Sequence, residues 1–163
     1  MASEEGANNN QRLLAAARED NEEMLLEVFD QGGFDINFQD GLGNTALHYA
    51  ASLGSTDVLE HILECDGCDV DPINRLEKAT PLHLAVRIEN PDLRRRVVTS
   101  LLEAGADTRI KDKNGDTVLD VLPADAEEIR KLIHKERAQG AISLDDVAND
   151  DDDEGSGSAS DDD

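Results

Sequence analysis

One short segment occurs twice in this 163-residue chain in nearly the same form, and it limits the possible folds more than any other feature. Thr45–Ala50 reads TALHYA, and Thr80–Ala85 reads TPLHLA. A weaker copy begins at Thr117, so the three threonines are 35 and 37 residues apart. Periods of about 20 to 50 residues are typical of repeat proteins, whose units cannot bury their apolar faces alone. The spacing therefore predicts a stacked array.

The residues around each copy predict a helix that begins just after the threonine. A threonine hydroxyl in this position can accept a hydrogen bond from a free backbone N–H, and Pro81 suits the first helical position because proline has no N–H there. Apolar residues then follow at helical spacing: Leu47, Ala50 and Ala51 in the first copy, and Leu82, Ala85 and Val86 in the second. A second apolar stripe follows each copy, so each unit is predicted to contain two helices.

The two TxLHxA segments, followed by LLEAGAD at Leu101–Asp107, resemble the ankyrin repeat, whose signature is T-P-L-H-x-A and whose period is about 33 residues. The resemblance implies an all-α repeat solenoid of helix–turn–helix units with β-hairpin loops, about four stacked units in all if the caps are included. The predicted units are 11–38, 40–73, 74–110 and 112–136, within a repeat domain that spans 11–138. Segments 1–10 and 139–163 are predicted to be disordered.

His48 and His83 are the residues of the repeated segment that could serve catalysis or metal binding. Either role needs a nucleophile, a carboxylate or a second ligand that converges on the imidazole. Equivalent positions in adjacent units indicate scaffold instead, because an active site has no reason to be copied once per repeat. We expect each imidazole to hydrogen-bond loop backbone at the helix entrance. The predicted structural signature is Thr45, His48, Thr80, Pro81, His83 and Thr117.

The resemblance also implies a protein-binding surface, formed by positions that vary around the fixed signature. The candidate partner-binding residues are Leu42, Asn44, Ser52, Leu53, Leu76, Glu77, Arg87, Ile88, Lys113, Asn114 and Asp116. Leu53 and Ile88 are apolar where the fold would expose them, which predicts hydrophobic anchors within a polar rim. Partial burial against the neighbouring unit is the alternative.

Two further clusters have a structural and a functional interpretation. Cys65 and Cys68 have the spacing of half a zinc site or a redox pair, but a zinc site needs four ligands and the chain has no second cysteine pair. We therefore expect no metal, and Cys68 packed as a small apolar residue. Arg94–Arg96 is a run of three basic residues, which we interpret as a solvated outer helix face.

Charge limits the classes of partner. The chain has 15 Lys and Arg against 38 Asp and Glu, a formal charge of −23, so it should repel phosphate backbones and anionic lipid. Nucleic acid and membrane are not expected partners. No run of 18 apolar residues and no signal-peptide pattern occurs, which predicts a location in the cytoplasm, the nucleus or both. The protein is expected to be a monomer.

The last 23 residues differ in composition from the rest. They contain ten acidic and no basic residues, and without them the charge of the chain would still be −13. Such a segment cannot bury enough apolar surface to order itself. It could keep the protein soluble through its charge, or it could bind a basic protein partner. Ser158 and Ser160, each with an Asp three residues later, resemble acidophilic kinase sites.

A non-enzymatic module that binds a protein on its concave surface is the leading functional hypothesis. The alternative is a dedicated chaperone, because the chain is similar in size, repeat number and charge to small fungal ankyrin proteins with acidic tails that shield a basic ribosomal protein. An enzyme is not expected, since no Gly-rich phosphate loop, nucleophile elbow or H-E-x-x-H motif occurs in the sequence. No cofactor is expected either.

Overall fold

The computed structural model describes the backbone of residues 2–148 and the side chains of residues 9–139. Its α-helices are α1 (Ala2–Glu19), α2 (Glu22–Gln31), α3 (Ala46–Leu53), α4 (Thr56–Glu64), α5 (Pro81–Ala85), α6 (Pro91–Glu103) and α7 (Glu127–Ala148), with a 3-10 helix at Val118–Val121 between α6 and α7. The predicted all-α repeat architecture is confirmed. Residues 2–130 form one compact unit, and residues 131–148 belong to a second.

The helices of the first unit lie in two layers. In the inner layer α1 packs against α3, α3 against α5, and α5 against the 3-10 helix. In the outer layer α2 packs against α4 and α4 against α6, while each pair α1–α2, α3–α4 and α5–α6 also makes contact across the layers. Each helix pair therefore covers the apolar face of the next, which is how a repeat array is stabilised.

The interface between the layers is almost entirely aliphatic. Its largest fully buried apolar side chains in this unit are Leu13, Leu14, Leu25, Leu47, Leu59, Ile62, Leu82, Leu101 and Ile129. Small residues let the inner helices approach closely, because Ala46, Ala50 and Ala51 of α3 are all buried. With so few aromatic residues in the chain, burial of branched aliphatic side chains supplies most of the stabilisation.

Side chains satisfy the free N–H groups at the helix starts. Asn21 accepts a hydrogen bond from the backbone N–H of Met24 at the start of α2. Asn90 does the same for two N–H groups of α6, those of Asp92 and Leu93. The start of α4 is capped from another repeat, since one carboxylate oxygen of Asp20 accepts the N–H groups of Asp57 and Val58. Such caps typically contribute about 1 kcal/mol each.

Three loops project from the inner helices, and we call them the first finger (40–44), the second finger (74–79) and the third finger (112–116). The sequence predicts β-hairpins here, but no strand is assigned in the described part of the chain. Each finger is closed by one backbone bond between its ends, for example from Asp40 N–H to Asn44 O at 3.0 Å. Five or six residues are too few for a two-stranded ladder, so the fingers are turns.

Both ends of the repeat domain differ from the predicted boundaries. Helix α1 begins at Ala2, and Asn9 is buried with its amide donating to Gly32 O at 2.7 Å, so order starts before Gln11. Helix α7 continues to Ala148, although the sequence predicts disorder from 139. Extending a formed helix adds one hydrogen bond per residue fixed, which favours propagation. The rest of the predicted acidic tail, with Ser158 and Ser160, lies outside the described residues.

Candidate functional site

Two buried imidazoles fix the positions of the fingers. The Nδ1 atom of His48 accepts the N–H of Thr45 at 3.1 Å, while the Thr45 hydroxyl oxygen accepts the N–H of His48. Its Nε2 lies 2.9 Å from Ala79 O at the base of the second finger. His83 repeats this arrangement with Thr80 and reaches Asp116 O of the third finger at 3.0 Å. Each histidine thus joins its own helix start to the next repeat.

These contacts leave the imidazoles no capacity for catalysis or metal binding. Both ring nitrogens of His48 are engaged, and the residue is fully buried. Burial lowers the pKa of His48 despite the opposing hydrogen bond to Ala79 and the charges of Asp40 and Asp69. The ring is therefore neutral near pH 7. In the neutral ring Nδ1 can accept the hydrogen bond from Thr45 N–H while Nε2–H donates one to Ala79 O. At Thr117 the same capping role falls to the Asp120 carboxylate, at 2.8 Å.

Backbone hydrogen bonds tie each finger to its neighbour. The N–H of Arg75 in the second finger donates to Leu42 O of the first at 2.9 Å, and the N–H of Lys113 in the third donates to Glu77 O of the second at 2.8 Å. The fingers therefore form a continuous row. Leu42 and Glu77 have structural main-chain roles in addition to any role of their side chains.

A cavity of about 230 Å³, which we call the inner pocket, lies between the fingers and the inner helices. Its lining residues are Asn44, His48, Tyr49, Ser52, Asn74, Glu77, Leu84 and Arg87. Four predicted partner-binding residues are among them: Asn44 from the first finger, Ser52 from α3, Glu77 from the second finger and Arg87 after α5. Arg87 and Glu77 also form an ion pair, with Arg87 Nη1 3.2 Å from the carboxylate.

Sequence reasoning missed three of the pocket residues, Tyr49, Asn74 and Leu84. Helical spacing could have found two of them, because Tyr49 precedes Ser52 by three residues and Leu84 precedes Arg87 by three. Asn74 carried no such signal. Its side-chain Nδ2 donates to the Asn44 side chain at 3.1 Å, and its side-chain Oδ1 accepts the N–H groups of Glu77 and Ala79. Asn74 thus organises the second finger from within.

Tyr49 is the aromatic residue of the inner pocket and is held from both sides. Its hydroxyl donates to the Asp40 carboxylate, and the Arg18 guanidinium carbon lies 5.2 Å from the ring centroid. Burial and the bond to Asp40 raise the pKa of Tyr49. Burial alone would raise the pKa of Asp40, but the bonds from Tyr49, Asn44 and Leu42 outweigh it and lower that pKa. The pair is thus a phenol bonded to an ionised carboxylate.

The other predicted binding residues lie outside the pocket. Leu42, Leu53 and Leu76 are 50%, 55% and 65% exposed, and each is within two residues of a pocket residue in the chain. We call these three the leucine rim. Lys113 and Asn114 are exposed in the third finger, and the side chain of Asp116 is half-buried there.

Two sequence predictions on α6 and the loop before it are wrong. Ile88 is only 8% exposed, so it belongs to the core and cannot be a surface anchor. Arg94 is 3% exposed, whereas its neighbours Arg95 and Arg96 face solvent. Its Nη1 donates to Ile88 O at 3.0 Å, and its Nη2 lies 3.3 Å from the Asp125 carboxylate. The arginine run is therefore not one solvated face.

Cys65 and Cys68 are both half-buried free thiols, so Cys68 is packed only in part. Burial, the nearby Cys65 and the charge of Asp69 raise the pKa of Cys68 to about 11. Burial and Asp66 raise the pKa of Cys65 as well. Neither sulfur is a thiolate near pH 7, which makes both weak nucleophiles. Within the described residues no three His, Cys, Asp or Glu side chains are grouped as metal ligands.

The geometry thus combines a small polar pocket, an exposed leucine rim and rigidly linked fingers. No helix of the described segment combines the length and apolarity that a membrane span requires. This is a surface suited to contacts with another macromolecule.

Comparison with known proteins agrees with this geometry. The family described as ankyrin repeats (three copies) matches residues 12–112. An ankyrin repeat-containing protein of Saccharomyces cerevisiae is 36% identical over 140 residues, covering 79% of this chain and 76% of its own length. The E3 ubiquitin-protein ligase hecd-1 of Caenorhabditis elegans is 34% identical over 97 residues, which are 59% of this chain but 3% of that enzyme. A palmitoyltransferase of Drosophila melanogaster is 38% identical over 85 residues, or 13% of its length.

Proposed function

The chain belongs to the ankyrin-repeat family, whose repeats are generally protein–protein interaction modules, and we propose on this premise that it is a non-enzymatic adaptor that binds one protein partner at the inner pocket. The observation that carries this proposal is convergence. Asn44, Ser52, Glu77 and Arg87 come from four separate segments, none of them fixed by the repeat signature, and they line one cavity. The similarity to enzymes extends over a small fraction of those proteins and gives no reason to assign catalysis.

The chemistry of the surface suits a peptide or loop with mixed character. The inner pocket offers amide, hydroxyl, carboxylate and guanidinium groups that can orient a polar side chain or main chain. The leucine rim offers apolar area beside it. Interfaces generally gain most of their affinity from a few desolvated contacts surrounded by a polar rim. Because the fingers are tied together and to the inner helices, little order has to be gained on binding.

The substitution Ser52→Arg tests the proposal, since the side chain is exposed at the pocket and a longer one would fill it. Ala104→Arg is the matched control, because this substitution adds the same charge. Ala104 is also exposed, and it caps the C-terminal end of the outer helix α6. Purification of the tagged full-length protein from its native cells, with quantitative mass spectrometry, measures capture.

We expect a specific protein to be captured by the parent and by Ala104→Arg, and captured about tenfold less by Ser52→Arg, equivalent to about 1.4 kcal/mol. Equal melting temperatures would show that both variants are folded. Retention of every specific partner by Ser52→Arg, or equal loss in both variants, would contradict the proposed site.

A chaperone for a basic protein is the second candidate, and it is supported by the charge of −23 together with the ten acidic residues at the C-terminal end. The same capture distinguishes it. A strongly basic partner whose recovery falls when those ten residues are changed to their amides, or when salt is raised to about 1 M, would support the chaperone. A neutral partner that is indifferent to both changes would reject it.

A further inference from the structure

Five of the chain's 15 basic residues gather in two short segments that belong to the finger side of the repeats. Residues 74–78 and 109–113 contain Arg75, Lys78, Arg109, Lys111 and Lys113 but only two acidic residues. We call these five side chains the basic strip. All five are exposed. In a chain with 38 acidic residues, a local excess of positive charge requires an explanation.

The structure places the two segments side by side. The N–H of Lys113 donates to Glu77 O at 2.8 Å and joins the third finger to the second, and the N–H of Asp107 donates to the Asp71 carboxylate at 3.0 Å and joins the segments that precede them. Arg75 and Lys78 also line a cavity of about 650 Å³ between the second finger and residues 35–43. The two basic segments are therefore neighbours on a hydrogen-bonded support.

The positive charges of the strip are not paired with carboxylates within the described residues. None of its five side chains forms an ion pair there, whereas Arg12, Arg87, Arg94, Arg95 and Arg130 all do. The acidic residues inside the two segments are already engaged: Glu77 pairs with Arg87, and the buried Asp112 accepts the N–H groups of Asn114 and Asp116. Asp35 and Asp40 also line the cavity, and Asp40 is bonded to Tyr49 and to backbone.

We propose that the basic strip is a docking surface for an extended acidic segment of a partner protein, with an apolar residue of that segment seated on Leu76. Leu76 is 65% exposed and lies next to Arg75 and two residues before Lys78 in the second finger, so one apolar group stands beside two cations. At physiological salt the Debye length is about 8 Å, so an acidic peptide senses the strip and the few carboxylates beside it more strongly than the negative charges elsewhere on the chain. This surface goes beyond the inner pocket and uses none of its four convergent residues.

A protein segment fits better than a nucleic acid. A nucleic acid carries its charge continuously and would extend past a strip of two fingers onto a surface rich in carboxylates, where its phosphates are repelled. A short acidic peptide can end where the strip ends. Charge complementarity of this kind typically governs specificity and the rate of association.

The proposal can be tested with a fluorescein-labelled twelve-residue peptide of Asp and Glu with one central Leu. The control peptide has the corresponding Asn and Gln residues with the same Leu. Anisotropy is measured with the full-length chain at about 0.15 M salt. The double variant K111E/K113E reverses two charges of the strip and keeps the backbone bond to Glu77. The matched control K131E/K135E makes the same charge change at exposed positions of α7.

We expect the acidic peptide to bind the parent more tightly than the amide peptide, and K111E/K113E to weaken it about tenfold or more. K131E/K135E and Ser52→Arg should stay within about threefold of the parent, which separates this surface from the inner pocket. Equal binding of both peptides, no binding of either, or equal loss in both double variants would overturn the proposal. A single-stranded oligonucleotide that binds more tightly than the acidic peptide would also overturn it.

Discussion

Arg94 belongs to the core although it stands in a run of three arginines. Its position relative to Val97, Val98 and Leu101 is i, i+3, i+4 and i+7, and all four residues are buried. The helical register therefore places the Arg94 side chain on the apolar face, while Arg95 and Arg96 turn outward. A guanidinium tolerates this position because its hydrogen bond to Ile88 O and its contact with Asp125 satisfy two of its nitrogens. The run of three arginines predicted a charged surface, but the helical register decides which of the three side chains are exposed.

Arg94→Ala should lower the free energy of unfolding by roughly 1–3 kcal/mol, because it leaves the Ile88 carbonyl without its partner and opens a cavity beside the apolar face. Arg96→Ala, two positions away and exposed, should change it by no more than about 0.5 kcal/mol. Urea denaturation followed by circular dichroism measures both values. Similar losses for the two variants would mean that Arg94 is not the buried member of the run.

At the scale of elements, the turns of the first and third fingers each need a glycine, but the space around the two glycines differs. Gly43 in the first finger and Gly115 in the third both have φ of 82°, a left-handed conformation that is unfavourable for residues with a Cβ. A Cβ on Gly43 would lie 2.6 Å from the backbone nitrogen of Arg75 in the next finger. A Cβ on Gly115 would meet nothing within 4 Å. The same turn thus carries a packing constraint only where another finger follows.

Gly115→Ala should destabilise the protein by roughly 1–2 kcal/mol, the cost of a left-handed conformation for a residue with a Cβ. Gly43→Ala should cost clearly more, because it also forces the second finger away and disturbs the bond from Arg75 N–H to Leu42 O. Thermal and urea unfolding of the two variants provide the comparison. An equal cost would show that close approach of the fingers contributes nothing to stability.

For the whole molecule, stacking makes each repeat depend on its neighbours. Within the first compact unit the inner helices contact one another in chain order, so α5 is held by α3 on one side and by the 3-10 helix on the other. An array of so few units stands near the lower limit for this architecture. Damage at one interface should therefore spread along the stack.

Leu82→Ala should cost about 2–5 kcal/mol, because Leu82 is 1% exposed at the centre of the inner layer. Leu76→Ala is the matched control, since Leu76 is 65% exposed and its truncation should change stability by about 0.5 kcal/mol or less. Hydrogen exchange should show that Leu82→Ala reduces protection in α3 as well as in α5. Loss confined to residues 81–103, with α3 protected as in the parent, would contradict cooperative stacking.

The sequence by itself determined the repeat period, the helix starts at Thr45 and Thr80, and the aliphatic stripes of the inner helices. The helix starts and the stripes depend on residues within one or two turns of each other, and the period follows from the recurrence of one segment along the chain. Only the tertiary structure decided that Asn44, Ser52, Glu77 and Arg87 share a pocket and that Ile88 is buried. It also decided that the second finger and the segment ending at Lys113 are hydrogen-bonded neighbours. The pocket and the paired segments depend on contacts between different repeats, such as Asn74 with Asn44 and Lys113 with Glu77, which stacking creates and no local pattern encodes.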